Sequence, residues 1–475
     1  MENAAQTLHR LTSYEPGREW DQPIDDPRIV QDLVSNDLSR LTWFYKRYPA
    51  DLPRVPLPKD LPSTTAPTVS VLAGTAQVPP GDLDLAQLGR LLHLSYGVVR
   101  TSRRAYGDHL FRAAGSAGAR FPLELYAVIP PGSALPAGVH FYDPLEHELV
   151  TIAPPPEVSG PAIVTTGVPW RTGWRYRERG YRHVYWDAGT MVSQLLAVAE
   201  SAGVPASLFT RFPDVELTSL VGADGVHEWP VAVISLSGPF SFGAFSPAAV
   251  GEIDAKPLEF PLVTDAQHAG DQETWGHPWP AGAPVDVPGD DSRPVEEVIL
   301  ARGSVRRMDP DRPVPGKLLT TSMAVAMRGI DVPHFVAVSA VEGFSPGLYR
   351  WPDLDTPVRA GLLRDELYRV SLEQGLTRDA AFVAIGAIDV GSLSPHDYRQ
   401  AQFAAGLVEG RLHLLAYAMN AGASGMTFED SSMPDFLGES LDGLLFTCVG
   451  LTDYRRATGG KPGEPTSVRT ALGRD

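Results

Sequence analysis

Cysteine is nearly absent: Cys448 stands alone in 475 residues, which excludes an intramolecular disulfide framework and a cysteine-rich metal site. It sits in the apolar run Leu444 to Val449 and reads as a small core residue. Basic residues are scarce beside acidic ones, 40 Lys and Arg against 57 Asp and Glu, for a formal net charge of −17. That balance argues against a nucleic-acid partner, since a polyanion needs clustered cations to displace its counterions. No stretch approaches the roughly 20 uncharged apolar residues that span a bilayer, and MENAAQTLHRLTSYEPGREW has no apolar segment of signal-peptide length. A soluble, cytoplasmic protein without membrane contact is expected. The twelve histidines offer no pair at the helical spacing of HExxH, so no metal is expected.

What is present points to two domains. A hydrophobic content of 43 % over this length exceeds what one ordinary core holds. Residues 1–65 read as an N-terminal arm, with a helix expected around Ile29 to Tyr48 followed by the proline-rich DLPRVPLPKDLPSTTAPT. A Pro-, Gly- and Asp-rich stretch marks a linker over 263–294. It separates a domain over 66–262 from a second over 295–458, and 459–475 reads as a flexible tail.

The two domains look like repeats of one unit. Leu125-Tyr126-Ala127-Val128 and Gly138-Val139-His140-Phe141-Tyr142 read as strand, loop, strand. So do Phe335-Val336-Ala337-Val338 and Gly347-Leu348-Tyr349-Arg350-Trp351. The segment YRHVYWDAGTMVSQLLAVAESAG from Tyr181 aligns with YRQAQFAAGLVEGRLHLLAYAMNAG from Tyr398, Tyr-Arg and Ala-Gly falling in one ungapped register. Both have apolar residues at helical spacing and end in Ala-Gly. A β-rich run closes each half, Trp229 to Leu236 and Leu444 to Leu451. The order is α+β in both.

Two short motifs carry chemistry. Arg302-Gly303-Ser304-Val305-Arg306-Arg307 opens the second half, and its guanidinium and hydroxyl groups suit one phosphate. Gly115-Ser116-Ala117-Gly118-Ala119-Arg120-Phe121-Pro122 leads into the strand from Leu123, and its small residues permit close approach of a flat ligand, with Ser116 offering a hydroxyl. Taken singly, a solvated arginine run and an ordinary turn would look the same. The aromatic cluster Trp170, Trp174, Tyr176, Tyr181, Tyr185 and Trp186 fits a core better than a peptide groove.

Together the motifs, over roughly residues 65 to 455, resemble the nitroreductase-like FMN oxidoreductases, and within them the SagB-type dehydrogenases that oxidise azoline rings in ribosomal peptide natural products of the thiopeptide kind. The resemblance implies tandem nitroreductase-like domains, each a mainly antiparallel sheet flanked by helices, forming an intramolecular pseudo-dimer. It implies an FMN phosphate held by Arg302, Ser304 and Arg306, with Arg455 and Arg456 as the basic ending of the last strand. Ser116, Gly118 and Arg120 match the motif that reaches the flavin from the partner subunit, with Gly115 in place of a proline. Tyr181-Arg182 and Asp187-Ala188-Gly189 match the family helix, and Gly425 and Met426 the loop at the ring edge. Val69-Ser70-Val71-Leu72 stands where the first half should open with the phosphate motif. Ala324-Val325-Ala326-Met327-Arg328-Gly329 replaces the small-residue motif in the second. These complementary losses imply one FMN per chain, held between the halves.

The azoline-oxidising members carry a Lys-Tyr pair that Arg175-Tyr176 resembles, with arginine for lysine. Arginine cannot serve as a base, which leaves Tyr176 for the proton and Arg175 for orientation or phenolate stabilisation. The expected activity is oxidation of thiazoline or oxazoline rings of a precursor peptide, with dioxygen reoxidising the flavin. A cyclodehydratase partner or the arm would recognise the peptide. An NAD(P)H-dependent nitro- or ene-reductase and a flavin-free scaffold are the alternatives.

Overall fold

The computed structural model describes residues 2–17, 25–238, 240–454 and 456–469. Two antiparallel sheets carry the two halves, and their central strands follow one plan. In the first, the order is Gly138–Asp143, Leu123–Ile129, Ala162–Gly167, Trp229–Ser235, Ser207–Phe209; in the second, Gly347–Arg350, His334–Val338, Phe382–Ile388, Asp442–Gly450, Gly422–Met426. Every neighbouring pair is antiparallel. The strand pairs expected from the repeats therefore form as read, Tyr126 opposite Phe141 and Phe335 opposite Arg350. Fold class is α+β, with each sheet flanked by helices.

The repeated Tyr-Arg segments form the two longest helices, Gly180–Ser201 and Pro395–Ala418. Ser394 caps the second through the N–H of Asp397, with Pro395 in its first turn. Each lies on its own sheet, and the two pack on each other. The aligned glycines explain how closely. A Cβ on Gly189 would run into the Phe403 carbonyl oxygen, and one on Gly406 into that of Trp186. Phe403 and Trp186 are themselves aligned partners, so the contact is reciprocal. At the amino-terminal ends, Tyr181 stacks on Tyr398 with ring centroids 6.4 Å apart and planes 10° from parallel.

Buried ion pairs repeat the same relation across the interface. Arg182 of the first helix reaches Asp430 of the second half at 2.6 Å, and Arg399 of the second helix reaches Asp214 of the first half at 3.1 Å. Two short helices complete it. Ala4–Leu11 places His9 Nδ1 3.1 Å from Tyr398 Oη, while Pro261–His268 places Gln267 Oε1 3.2 Å from Tyr181 Oη. Each short helix precedes one half and docks on the long helix of the other.

Three local expectations are corrected. The helix expected around Ile29 to Tyr48 is replaced by irregular chain with one 3-10 turn, Leu38–Arg40. Asn36 adopts a left-handed φ of 63° and Asp37 accepts the Ser39 N–H, so side-chain bonds compete with helix here. The arm's helix is Ala4–Leu11, held by a reciprocal cap between Asn3 and Gln6. Finally, residues 460–468 are docked on the first half: Gly460 N–H donates to Val99 O, and Thr466–Ser467 pairs in parallel with Arg100 and Thr101; the rest of the expected tail, 470–475, lies outside the described residues. Among the described residues no helix is long and apolar enough to cross a membrane.

Candidate functional site

The turn before the first strand of the first half is strained. Gly118, Ala119 and Phe121 all take positive φ, 56°, 53° and 51°, a conformation that non-glycine residues hold only when their surroundings enforce it. Asp187, in the middle of the first long helix, does so. Ser116 Oγ donates to Asp187 Oδ2 at 2.5 Å, Ala117 N–H donates to Oδ1 at 3.0 Å, and the Phe121 N–H closes the turn on Ser116 Oγ at 2.7 Å. Burial pushes the Asp187 carboxyl up to about 8 despite these donors, so the group carries a proton at neutral pH.

Two sequence expectations change here. The Ser116 hydroxyl is spent on Asp187 and on the turn. Arg120 is buried under the site: its guanidinium lies 4.4 Å from the Trp174 ring and donates to Thr42 Oγ1 at 2.7 Å. The flat amphipathic guanidinium stacks on aromatic faces instead of reaching the second half. Gly118 is covered by the expected pair, since a Cβ there would fall 2.6 Å from Arg175 Cδ and 2.7 Å from Tyr176 Oη. The Tyr176 ring stacks on His183 at 4.0 Å and 9°. Burial raises the phenol above its ordinary value, although Arg175 opposes the shift.

The phosphate-type motif follows directly from the helix Val295–Ala301. Arg302 is buried, and its Nη2 donates to the Ala113 carbonyl at 2.6 Å, two residues from the strained turn. The two motifs, 182 positions apart counted from Arg120 to Arg302, thus meet across the halves. Arg302 Nη1 stands 3.4 Å from His413 Nδ1, while its Nε is buried with no hydrogen-bond partner. Arg100 joins from the first half, donating to the carbonyls of Ala457 at 2.7 Å and Leu300 at 2.5 Å. Arg456 donates to the Ser304 carbonyl, and the Arg306 N–H donates to Tyr454 Oη at 2.6 Å. Arg455 lies outside the described residues.

Burial pushes the guanidinium groups of Arg302 and Arg100 down to about 10, and Arg456 adds to both shifts. Among the described residues no carboxylate forms an ion pair with Arg100, Arg302 or Arg456. Three guanidinium groups thus gather here without an ion-paired carboxylate among the described residues. Arg100 was missed by motif reading, because it sits in an ordinary strand, Val98–Arg104.

The strand Gly422–Met426 forms the far wall, with Val305 N–H bonded to Ala423 O at 3.1 Å. A Cβ on Gly425 would run into Glu409 Oε1. Glu409 accepts from Thr190 Oγ1 at 3.2 Å and stands 3.5 Å from His413 Nε2. With Tyr181 set on Tyr398, these polar residues have apolar counterparts: Asp187 matches Ala404, Thr190 matches Leu407, Glu409 matches Val192 and His413 matches Leu196. The polar faces of both long helices thus point to one crevice.

The pseudo-equivalent crevice is filled by the chain itself. Trp279 of the linker donates its N–H to Leu208 O at 2.7 Å and its Nε1–H to Gly329 O at 3.0 Å, and Val285 N–H reaches Ala73 O at 3.0 Å. Arg328 caps the Leu72 and Ala283 carbonyls.

No family model matches the chain. It is 26 % identical over 168 residues to a provisionally assigned nitroreductase of Methanocaldococcus jannaschii, covering 32 % of this chain and 79 % of that protein. It is 29 % identical over 197 residues to the trifolitoxin-processing protein TfxB of Rhizobium leguminosarum bv. trifolii, covering 36 % of this chain and 53 % of that one. The chain thus spans about half the length of the trifolitoxin relative. A solved structure of an Anabaena variabilis protein, also provisionally assigned as a nitroreductase, superposes with a TM-score of 0.65 at 21 % identity, over 95 % of this chain and all of its own. The likeness to the solved structure shows that the chain has a nitroreductase-like fold.

Proposed function

We propose that the composite crevice binds one FMN and that the protein is a SagB-type dehydrogenase, converting thiazoline or oxazoline rings of a ribosomally made peptide into thiazoles or oxazoles. The observation that carries this reading is the meeting of Arg302 with the Ser116 turn, beside guanidinium groups that lack counter-charge. Arg302, Arg100 and Arg456, with Ser304 and Arg306 on the same loop, would hold the phosphate. Gly118, Gly425 and Met426 would bound the flat ring. FMN, when bound, supplies a two-electron acceptor.

The protein's own groups position the substrate and handle the proton. Arg175 is exposed and Tyr176 half-buried at the mouth, so the cation and the phenol O–H meet the peptide first, as orienting donors. The trifolitoxin relative supports a peptide substrate, and a cyclodehydratase would supply the azoline. The arm has a structural part instead, because Leu8, His9 and Leu11 are buried on the second half.

A nitro- or ene-reductase driven by NAD(P)H is favoured by the printed names of the Methanocaldococcus and Anabaena relatives. Anaerobic mixing separates the two readings. Bleaching of the flavin by an azoline peptide, with thiazole or oxazole formed in equal amount, is expected; rapid bleaching by NADPH and none by the peptide would overturn the dehydrogenase.

A further inference from the structure

We propose that Glu409 is the residue that accepts the substrate proton in the composite crevice. The inference rests on the dehydrogenase reading. Glu409 lies on the wall formed by Gly425, where its Oε1 stands against the backbone, and its side chain is 14 % exposed. A base must offer a lone pair that the substrate can reach, and the neighbouring groups fail on one count or both. Asp187 is buried, and both its oxygens already accept, from the Ser116 hydroxyl and the Ala117 N–H. Burial raises the Tyr176 phenol, and the guanidinium groups cannot give up their protons.

Glu409 is also held in place. The Thr190 hydroxyl donates to Oε2, and burial keeps His413 neutral, with Nδ1 facing an Arg302 N–H. That arrangement makes Nδ1 the acceptor and leaves the proton on Nε2, 3.5 Å from Glu409. His413 thus stands between Arg302 and Glu409, within 3.4 Å of one and 3.5 Å of the other. The pseudo-equivalent position, Val192, can do none of this.

In the step, one ring C–H leaves as a hydride to the bound flavin, the two-electron oxidant. The adjacent C–H leaves its proton on the Glu409 carboxylate and its electron pair in the new ring double bond. Atoms and charge balance, with an aromatic azole, a reduced flavin and a neutral Glu409 as the products.

Glu409→Gln is the test, because it keeps the size and the acceptor for Thr190 while removing basicity. FMN content per chain and melting temperature should match the wild type, and anaerobic bleaching by an azoline peptide should slow by about 100-fold or more. A second readout needs no turnover: with its flavin reduced beforehand, the wild type should exchange the acidic ring C–H of the azoline for deuterium in D2O, and the variant should not. Bleaching and exchange at wild-type rates in the variant would overturn the inference while leaving the dehydrogenase reading intact. Failure of the wild type to be bleached by any azoline peptide would overturn both.

Discussion

The two crevices between the halves are built from the same elements and finished in opposite ways. One, between the Ser116 turn and the Gly422–Met426 strand, gathers Arg100, Arg302 and Arg456, none of them ion-paired to a carboxylate among the described residues, and carries Asp187, Thr190, Glu409 and His413. The other, between the Met327 to Gly329 turn and the Ser207–Phe209 strand, is occupied by Trp279 and its neighbours and faced by Leu407, Val192 and Leu196. The packing that joins the halves has stayed symmetric. What the difference teaches is that the shared helix pair carries stability for both sides, whereas chemistry needs only one, so the second crevice was free to become core.

Breaking the symmetric part should cost most. Arg399→Ala leaves both Asp214 and Asp271 without their arginine and should lose about 4 kcal/mol in urea unfolding, whereas Arg182→Ala leaves Asp430 its pair with Arg179 and should lose less; a larger loss for Arg182→Ala would show that the interface is not shared in this way. Gly189→Ala and Gly406→Ala force a methyl onto a carbonyl of the facing helix, with about 3 kcal/mol expected for each.

Substitutions aimed at the asymmetric part should separate the crevices. Arg302→Ala should weaken FMN binding by about 100-fold, measured by flavin fluorescence on titration. Arg328→Ala, which caps linker carbonyls at the mate crevice, should leave it unchanged. Equal losses would contradict the assignment of one crevice to the phosphate.

The smallest expected effect is on pH dependence, and it differs between the two ion-pair clusters. Asp430 receives both Arg179 and Arg182, which hold its carboxyl well below the usual range, whereas Asp214 shares the single Arg399 with Asp271 and burial raises it to about 6. The depressed group stabilises the fold above the ordinary carboxylate range and loses that contribution as the pH falls. The raised group contributes most below about 4 and loses it as the pH rises through 6, about 1 kcal/mol between pH 5 and 7. Asp214→Asn should remove that loss from the stability profile, and its persistence would place the titration elsewhere.

Much of the plan was legible in the sequence. Alternating and helical periodicities marked the strands and the two long helices, and the ungapped Tyr-Arg and Ala-Gly register marked the duplication. The Arg302 and Ser116 motifs, read separately in the sequence, are brought together by the fold, with Arg302 bonded to the Ala113 carbonyl. Glu409 and His413 were not legible by motif, since a carboxylate and an imidazole four apart on a helix look like a solvated face. They stand out only when the second helix is set against the first, where Val192 and Leu196 occupy their places. The roles of Ser116 and Arg120 were misread because each has an acceptor or an aromatic face that folding supplies from distant chain, Asp187 for one and Trp174 and Thr42 for the other. The helix at Ala4–Leu11 was passed over for the stretch around Ile29, where Asn36 and Asp37 break the pattern.

The central claim is that a duplicated chain keeps one flavin crevice and has filled the other. It is tested most directly by the molar ratio of flavin to chain in protein purified and then saturated with FMN, with the released chromophore identified. One FMN per chain is predicted, falling toward zero in Arg302→Ala; two per chain, or none, would contradict it.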